Sequence, residues 1–315
     1  MALFVQSEPF GLARQMRAFI GRHTDKSFDW DAFPGSAGFP ELARAQMRYI
    51  GAGGSPKADD PSTLKPGRFT LSLVHQPVGK YAACHSHEVV EHFLVLSGVL
   101  TVGWAWGDEV IEARLGPNDM VLNQVGRPHG FRNDGIEPVL MSISVGSGMP
   151  RPPVYICHPR ESEPALARRF GASPGKTHTF DPHSDDPRQR EFARHIVRSA
   201  DQRPAWQAGF ARSIYIGEGG APPGHYRMDK IYLPKGVAVR GYARPVEDVF
   251  FVLEGCITVG WQEAGRAVEE GLGLRDAIFN PAGQVHYFRN DGAADAEFMM
   301  LVGAAGAEDI RFQPA

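Results

Sequence analysis

Four residues in the first half of this 315-residue chain have the types and spacing to hold one divalent metal: His85, His87, Glu91 and His129. Three imidazole nitrogens and a carboxylate oxygen suit Fe(II), Mn(II), Ni(II) or Cu(II). They suit Mg or Ca poorly, because those ions want oxygen shells. On an octahedral ion, four such donors leave two adjacent positions open. A bidentate enolate, catecholate or 2-hydroxycarboxylate can fill both, or one substrate oxygen can bind beside O2. Imidazole ligands must be neutral, so affinity is expected to fall as pH drops towards about 6.5.

The elements must bring these donors together. His85 and His87 are two apart and leave the same face of a strand, while Glu91 opens the apolar run from His92 to Leu96, which reads as the next strand. His129 can reach them only if the sheet closes on itself. Short β-rich runs bounded by Gly, Pro, Asn and Asp recur at Phe69–Val74, Val99–Trp104, Met120–Leu122 and Leu140–Val145, and predict an antiparallel jelly-roll barrel. Helical patterning is confined to lead-in segments at Phe10–Ile20, Pro40–Arg48, Pro164–Phe170 and Pro187–Ser199, and Gly171–Asp186 reads as the interdomain connector.

The second half repeats the first. His286 follows His129 by 157 residues (286 minus 129), and the same offset relates Gly255 to Gly98, Thr258–Trp261 to Thr101–Trp104, and Phe288–Gly292 to Phe131–Gly135. Upstream, Tyr215–Gly217 matches Tyr49–Gly51 at an offset of 166, which places nine extra residues of the first copy in Ser55–Lys65. A unit this long is a duplicated domain. The expected division is 1–160 for the metal-competent copy and 161–315 for the second.

Alternation suggests what surrounds the metal. Phe93 shares the face of Glu91, Phe131 shares that of His129, and Tyr81, His75 or Gln76, and Arg127 are candidates for the mouth. Arg127 faces Gln284 in the repeat, so the architecture does not demand a cation there, and a substrate carboxylate is its expected partner. Trp104 and Arg132 recur as Trp261 and Arg289 and read as structural. His92 and Cys84 are expected to point away from the ion.

With 33 basic and 36 acidic residues the net charge is −3, which argues against nucleic acid or an anionic membrane as partner. No apolar stretch is long enough to span a bilayer. The N-terminus, with Gln6, Ser7 and Glu8, lacks an export signal, and the three cysteines lack disulfide or CxxC spacing, so a cytoplasmic location is expected.

Together these features resemble the cupin superfamily, specifically a two-domain bicupin. The first family motif, G(X)5HXH(X)3-4E(X)6G, is met in full by Gly79, His85, His87, Glu91 and Gly98. The second, G(X)5PXG(X)2H(X)3N, fits at Gly126, His129 and Asn133, while Asn118 and Gln124 stand where Gly and Pro are expected. Copy two keeps Pro281, Gly283, His286 and Asn290 but has Tyr242, Arg244 and Asp248 in place of two histidines and the glutamate. It is expected to bind no metal, with Arg244 standing where the cation would sit and pairing with Asp248.

The resemblance implies an all-β fold of two tandem double-stranded β-helix barrels with one transition metal per chain, Fe(II) favoured. It also implies an Fe(II) dioxygenase like the gentisate/salicylate and quercetinase groups, acting on a small anionic aromatic or enolic molecule. Glu91 departs from the three-histidine set of the gentisate group. The alternatives are a manganese decarboxylase or isomerase of the oxalate decarboxylase kind, with Glu88 as acid only if the turn brings it inward, and a non-enzymatic small-molecule-binding bicupin. The expected partners are a small substrate and O2, with homodimerisation left open.

Overall fold

The structure, a computed structural model, describes residues 9–53, 60–306 and 311–312. The polar start of the chain and part of the Ser55–Lys65 loop lie outside the described residues. The first barrel is built from β1 (Ala45–Ile50), β2 (Leu71–Gln76), β3 (Tyr81–Ser86), β4 (Glu91–Ser97), β5 (Leu100–Trp106), β6 (Glu109–Leu115), β7 (Met120–Asn123), β8 (His129–Arg132), β9 (Val139–Val145) and β10 (Val154–Cys157). They form two six-stranded sheets. One runs β7-β4-β9-β2-β1 with the short strand Ile196–Val197 on its β7 edge, and the other runs β10-β3-β8-β5-β6 with Thr177–Thr179 on its β6 edge. Inward side chains such as Val74, Phe93, Val102, Trp104, Val121 and Met141 fill the space between the sheets, which is the face-to-face burial expected of a jelly roll.

The second barrel repeats this plan with β11 (Phe210–Ile216), β12 (Arg227–Leu233), β13 (Ala238–Ala243), β14 (Asp248–Glu254), β15 (Ile257–Glu263), β16 (Arg266–Leu272), β17 (Ala277–Asn280), β18 (Val285–Arg289) and β19 (Ala296–Val302). The repeat preserves devices as well as strands. Each buried tryptophan donates its indole N–H to an asparagine at 2.8 Å, Trp104 to Asn123 and Trp261 to Asn280, so neither leaves a buried donor unsatisfied. Asn133 clamps the carbonyls of Gln76 and Glu137, and Asn290 clamps those of Leu233 and Ala294. The asparagine of the second motif therefore staples loops in both copies. Gly98 and Gly255 end β4 and β14 with φ of 80° and 70°, and a Cβ at either would lie within 2.8 Å of a backbone oxygen. Only glycine fits.

The lead-ins depart from expectation in two ways. Pro40–Arg48 is not a helix: Pro40–Leu42 is one 3-10 turn and Ala45–Ile50 is a strand buried at every position. Pairing with β2 satisfies its backbone and overrides the helical spacing of its apolar residues. The expected division at 160/161 also fails to follow the contacts. One compact unit holds residues 26–202 and 215–225, and the other holds the lead-in up to Asp25 together with 203–214 and the chain from Tyr226. Thus helix α1 (Pro9–Arg17) and the strand Ile20–Gly21 pack on the second barrel, where Ile20 pairs with Ile278. Helices α2 (Pro164–Arg168) and α3 (Pro187–Ala193) belong with the first, where Ile196 pairs with Val121.

Equivalent aspartates secure the two lead-ins. Asp276 accepts from Arg22 at 2.9 Å, and Asp119 accepts from Arg198 at 2.8 Å. Gly171–Asp186 is likewise no interdomain connector, because its Thr177–Thr179 runs parallel to β6 in the first barrel. No helix among the described residues is long and apolar enough to cross a membrane.

Candidate metal centre

His85 lies near the end of β3, His87 just beyond it, and Glu91 and His129 are the first residues of β4 and β8. A bulge aims the first of these. Ala82 pairs with Phe131 and His85 with His129, so three steps along β3 match two along β8. The extra residue turns His85 into the barrel and leaves Tyr81, Ala83 and Cys84 on the outer face, in a cluster with Leu42 and Cys157. The second copy repeats the bulge between Val239 and Tyr242.

The four donor atoms all lie within 4.8 Å of one another. The Nε2 atoms of His129, His87 and His85 are 3.0, 3.5 and 4.0 Å from Glu91 Oε2. Donors bound at about 2.1 Å sit about 3.0 Å apart when adjacent on an octahedron and about 4.2 Å apart when opposed. The observed separations bracket a single ion. The tautomers fit as well: Nδ1 of His85 and of His129 lies 2.7 and 2.8 Å from the carbonyls of Ala83 and Arg127. As neutral ligands the two imidazoles keep their protons on these nitrogens, which turns each Nε2 lone pair towards Glu91. A buried carboxylate against two lone pairs calls for a cation between them. His87, 7% exposed, has neither ring nitrogen in a hydrogen bond, so a metal at Nε2 would satisfy it.

The four groups are also coupled electrostatically. Burial, with His129 and His87 nearby, holds His85 well below the usual imidazole range, hence neutral. Burial pushes Glu91 up, but His87 and His129 outweigh it and hold the carboxyl well below its usual range. Burial lowers His87, yet Glu91 and Glu88 outweigh it and raise the imidazole.

The centre opens into a cavity of about 620 Å³ lined by His85, His87, Glu91, Phe131, Ile143 and Phe33, with Met149, Pro150, Pro152 and Pro153 along its margin. Two polar side chains that the motifs did not indicate also line it, Arg44 and Tyr155. Arg44 is 7% exposed, stacks at 4.1 Å on Phe33, and donates Nη1 to Ser36 Oγ and Leu42 O at 3.1 Å each. Burial pushes it down, and the neighbouring Tyr155 hydroxyl and Glu91 carboxylate oppose this. A guanidinium stays charged in any case. The Tyr155 hydroxyl lies where a Cβ at Gly35 would stand, so residue 35 must be glycine for the phenol to reach the cavity.

Of the residues proposed around the ion, Phe131 lines the cavity. Phe93 does not, and instead supports it from the core, packed against His129 and Phe131 at 5.9 and 5.0 Å. Three others are placed elsewhere. Tyr81 faces outward because of the bulge, and burial pushes its phenol up to about 12. His75 lies among Phe28 and Trp30. Arg127 pairs with Glu191 of α3 at 2.9 Å and stacks on Trp106 at 4.6 Å, so the crossed lead-in supplies its partner. Glu88 is exposed and accepts from the Arg151 amide at 2.7 Å. Cys84 faces away and burial raises it to about 12. His92, fully buried, lies on the opposite face from Glu91.

In the second copy the corresponding side chains bond to one another. Asp248, fully buried, accepts from Arg244 Nε at 2.9 Å, lies 3.0 Å from His286 Nε2 and accepts from Asn280 Nδ2 at 2.9 Å, while the Tyr242 ring stacks 4.4 Å from His286. The guanidinium fills the charge role of the metal, and among the described residues only the first barrel gathers a ligand set.

The Cupin domain family matches residues 72–146, which hold all four donors. No protein of curated function matches the sequence. Among solved structures, Lactobacillus farciminis oxalate decarboxylase in a formate complex superposes with a TM-score of 0.65 at 12% identity, over 93% of this chain and 88% of that one. Bacillus subtilis oxalate decarboxylase, whose Mn(II) centres are described, superposes with a TM-score of 0.63 at 12% identity, over 93% and 79%. Residues 72–146 thus form a Cupin domain, and the chain as a whole shares the two-barrel fold of those solved structures.

Proposed function

We propose that the chain is a metal-dependent decarboxylase acting on a small carboxylate bound in the first barrel, with Mn(II) or Fe(II) held by His85, His87, Glu91 and His129. The observation that carries this reading is Arg44, a buried guanidinium in the wall of the metal cavity where Glu91 is the one acid among the described lining residues. The manganese centres of the Bacillus subtilis structure support decarboxylation over the iron dioxygenase expected from sequence.

Held by His85, His87, Glu91 and His129, a metal would be chelated by the substrate and would polarise its oxygens. Arg44 then grips the carboxylate through charge-assisted hydrogen bonds, and Ser36 and the Leu42 carbonyl fix its orientation. Phe33, Phe131 and Ile143 make that wall apolar and strengthen those contacts. As the C–C bond breaks and CO2 leaves, the electron pair stays on the carbon left behind, which needs a proton. With Glu88 outside, Tyr155 is the protic group of the cavity wall that can give it.

The test supplies oxalate and 13C-labelled 2-oxo and 2-hydroxy acids to Mn- and Fe-loaded protein, and follows 13CO2 beside an oxygen electrode. Expected is CO2 release without stoichiometric O2 uptake. Arg44→Gln should lower kcat/KM by about 10- to 150-fold, the loss of one charged hydrogen bond of about 1.5–3 kcal/mol, at unchanged metal content. Stoichiometric O2 consumption with oxygen in the product would refute decarboxylation and restore the dioxygenase.

A further inference from the structure

The second barrel has lost its metal set but not its cavity. A space of about 590 Å³ opens among β11, β12, β13, β18 and β19, within the size range of small-molecule sites. Its inner walls are apolar, with Phe210, Ile231, Val239, Phe288 and Met300. Four arginines line the remainder, Arg212, Arg227, Arg240 and Arg244, and Asp229 is the one acid among the described lining residues.

The repeat shows that the barrel does not need these cations. At the offset of 157, Arg227, Arg240 and Arg244 correspond to Thr70, Ala83 and His87, and at the offset of 166, Arg212 corresponds to Gln46. The first barrel closes with neutral residues at three of the four positions and a metal ligand at the other. Conversely, Arg44, the cation of the metal cavity, corresponds to Phe210. Charge and apolar surface have exchanged places between the two cavities.

Arg212, Arg227, Arg240 and Arg244 all have protein partners. Arg244 neutralises Asp248, and Arg212 Nε lies 2.8 Å from Asp229 Oδ2. Asp229 itself is 6% exposed, with Oδ1 in no hydrogen bond. It sits where the first barrel has Ser72, directly across from Met300. Four guanidinium forks beside an aromatic and aliphatic floor make a receptor for a planar anionic head on an apolar body.

We propose that the second barrel is a metal-independent binding site for a small carboxylate carrying an apolar, aromatic-sized body. The carboxylate lies among Arg212, Arg227 and Arg240, and the body lies on Phe210, Ile231 and Phe288. The site is separate from the metal cavity and does not depend on what the first barrel catalyses.

The experiment titrates full-length, metal-loaded protein with 4-fluorobenzoate by 19F NMR, with 4-fluorobenzamide as the neutral isostere. The titration is repeated after metal removal with EDTA and in His85→Ala. Expected is one binding event that survives both metal removal and His85→Ala, with the benzamide at least about 10-fold weaker. R227Q combined with R240Q should weaken benzoate about 10-fold or more, in line with loss of charged hydrogen bonds, at unchanged metal content. Equal binding of the two isosteres, loss of binding together with the metal, or no binding at millimolar benzoate would each overturn the proposal. If the double variant does not fold, the isostere comparison in the unmutated chain decides alone.

Discussion

Replacing Arg244 with methionine tests whether a guanidinium stands in for the metal in the second barrel. Asp248 is fully buried, accepts from Arg244 and Asn280, and lies 3.0 Å from His286 Nε2. The Met side chain keeps the volume and removes the cation, leaving a buried carboxylate with one amide and one imidazole. Breaking such a pair costs about 3–5 kcal/mol, because the remaining charge stays desolvated. For a unit of this size that lowers the melting temperature of the second barrel by about 6–20 °C.

Two controls separate charge from packing. Adding Asp248→Asn should recover at least half the loss, since the orphaned charge goes with it. Acid should also narrow the gap. Burial opposes ionisation of Asp248, but His286 and Arg244 outweigh it and hold the carboxyl below its usual 3.8. Its contribution is therefore full above about pH 3.8 and is lost as pH falls through the native value. Differential scanning calorimetry from pH 3 to 7 reads all of this. A shift under about 2 °C for Arg244→Met, or a double variant less stable than the single, would show that the pair carries no such load.

The same geometry makes the second barrel convertible: Tyr242→His, Arg244→His and Asp248→Glu together should raise bound metal from one to two per chain, measured by elemental analysis, and one per chain would mean the backbone there is unsuited. Burial pushes His92 down to about 3, so the unfolded chain takes up its proton first. Stability is full above about pH 6.5 and falls by about 2 kcal/mol on reaching pH 5. Urea titrations of His92→Gln should lose that slope, and an unchanged slope would assign it to other groups. Finally, the crossed lead-ins predict that a fragment of residues 26–202 resists proteolysis while one of residues 1–160 does not, because the latter lacks Ile196–Val197 and Arg198. Equal protection would show that the lead-ins add little.

The metal ligands were legible because they are few, chemically distinctive and fixed by a repeat that also marks every strand around them. What the sequence concealed follows from two features without a local signature. The β3 bulge reverses alternation between Ala82 and His85, which sends Tyr81 outward although it shares the parity of His85. The crossed lead-in brings Glu191 to Arg127 from 64 residues away. Arg44 was missed because Pro40–Arg48 has helical spacing, and only pairing with β2 makes it a strand entry. Its opposition to Phe210 at the offset of 166 was the available signal, since a charge replacing an inward aromatic needs a task. Tyr155 lies past Gly146, where the sequence match between the copies ends, although its strand recurs at the same offset: Tyr155 pairs with His85 as Phe312 pairs with Tyr242.

The central claim is that His85, His87, Glu91 and His129 share one ion. Elemental analysis of protein purified without added metal, run beside His129→Ala and His286→Ala, tests it most directly. One transition metal per chain is expected in the unaltered protein and in His286→Ala, and close to none in His129→Ala. Metal retained by His129→Ala, or lost from His286→Ala, would contradict it.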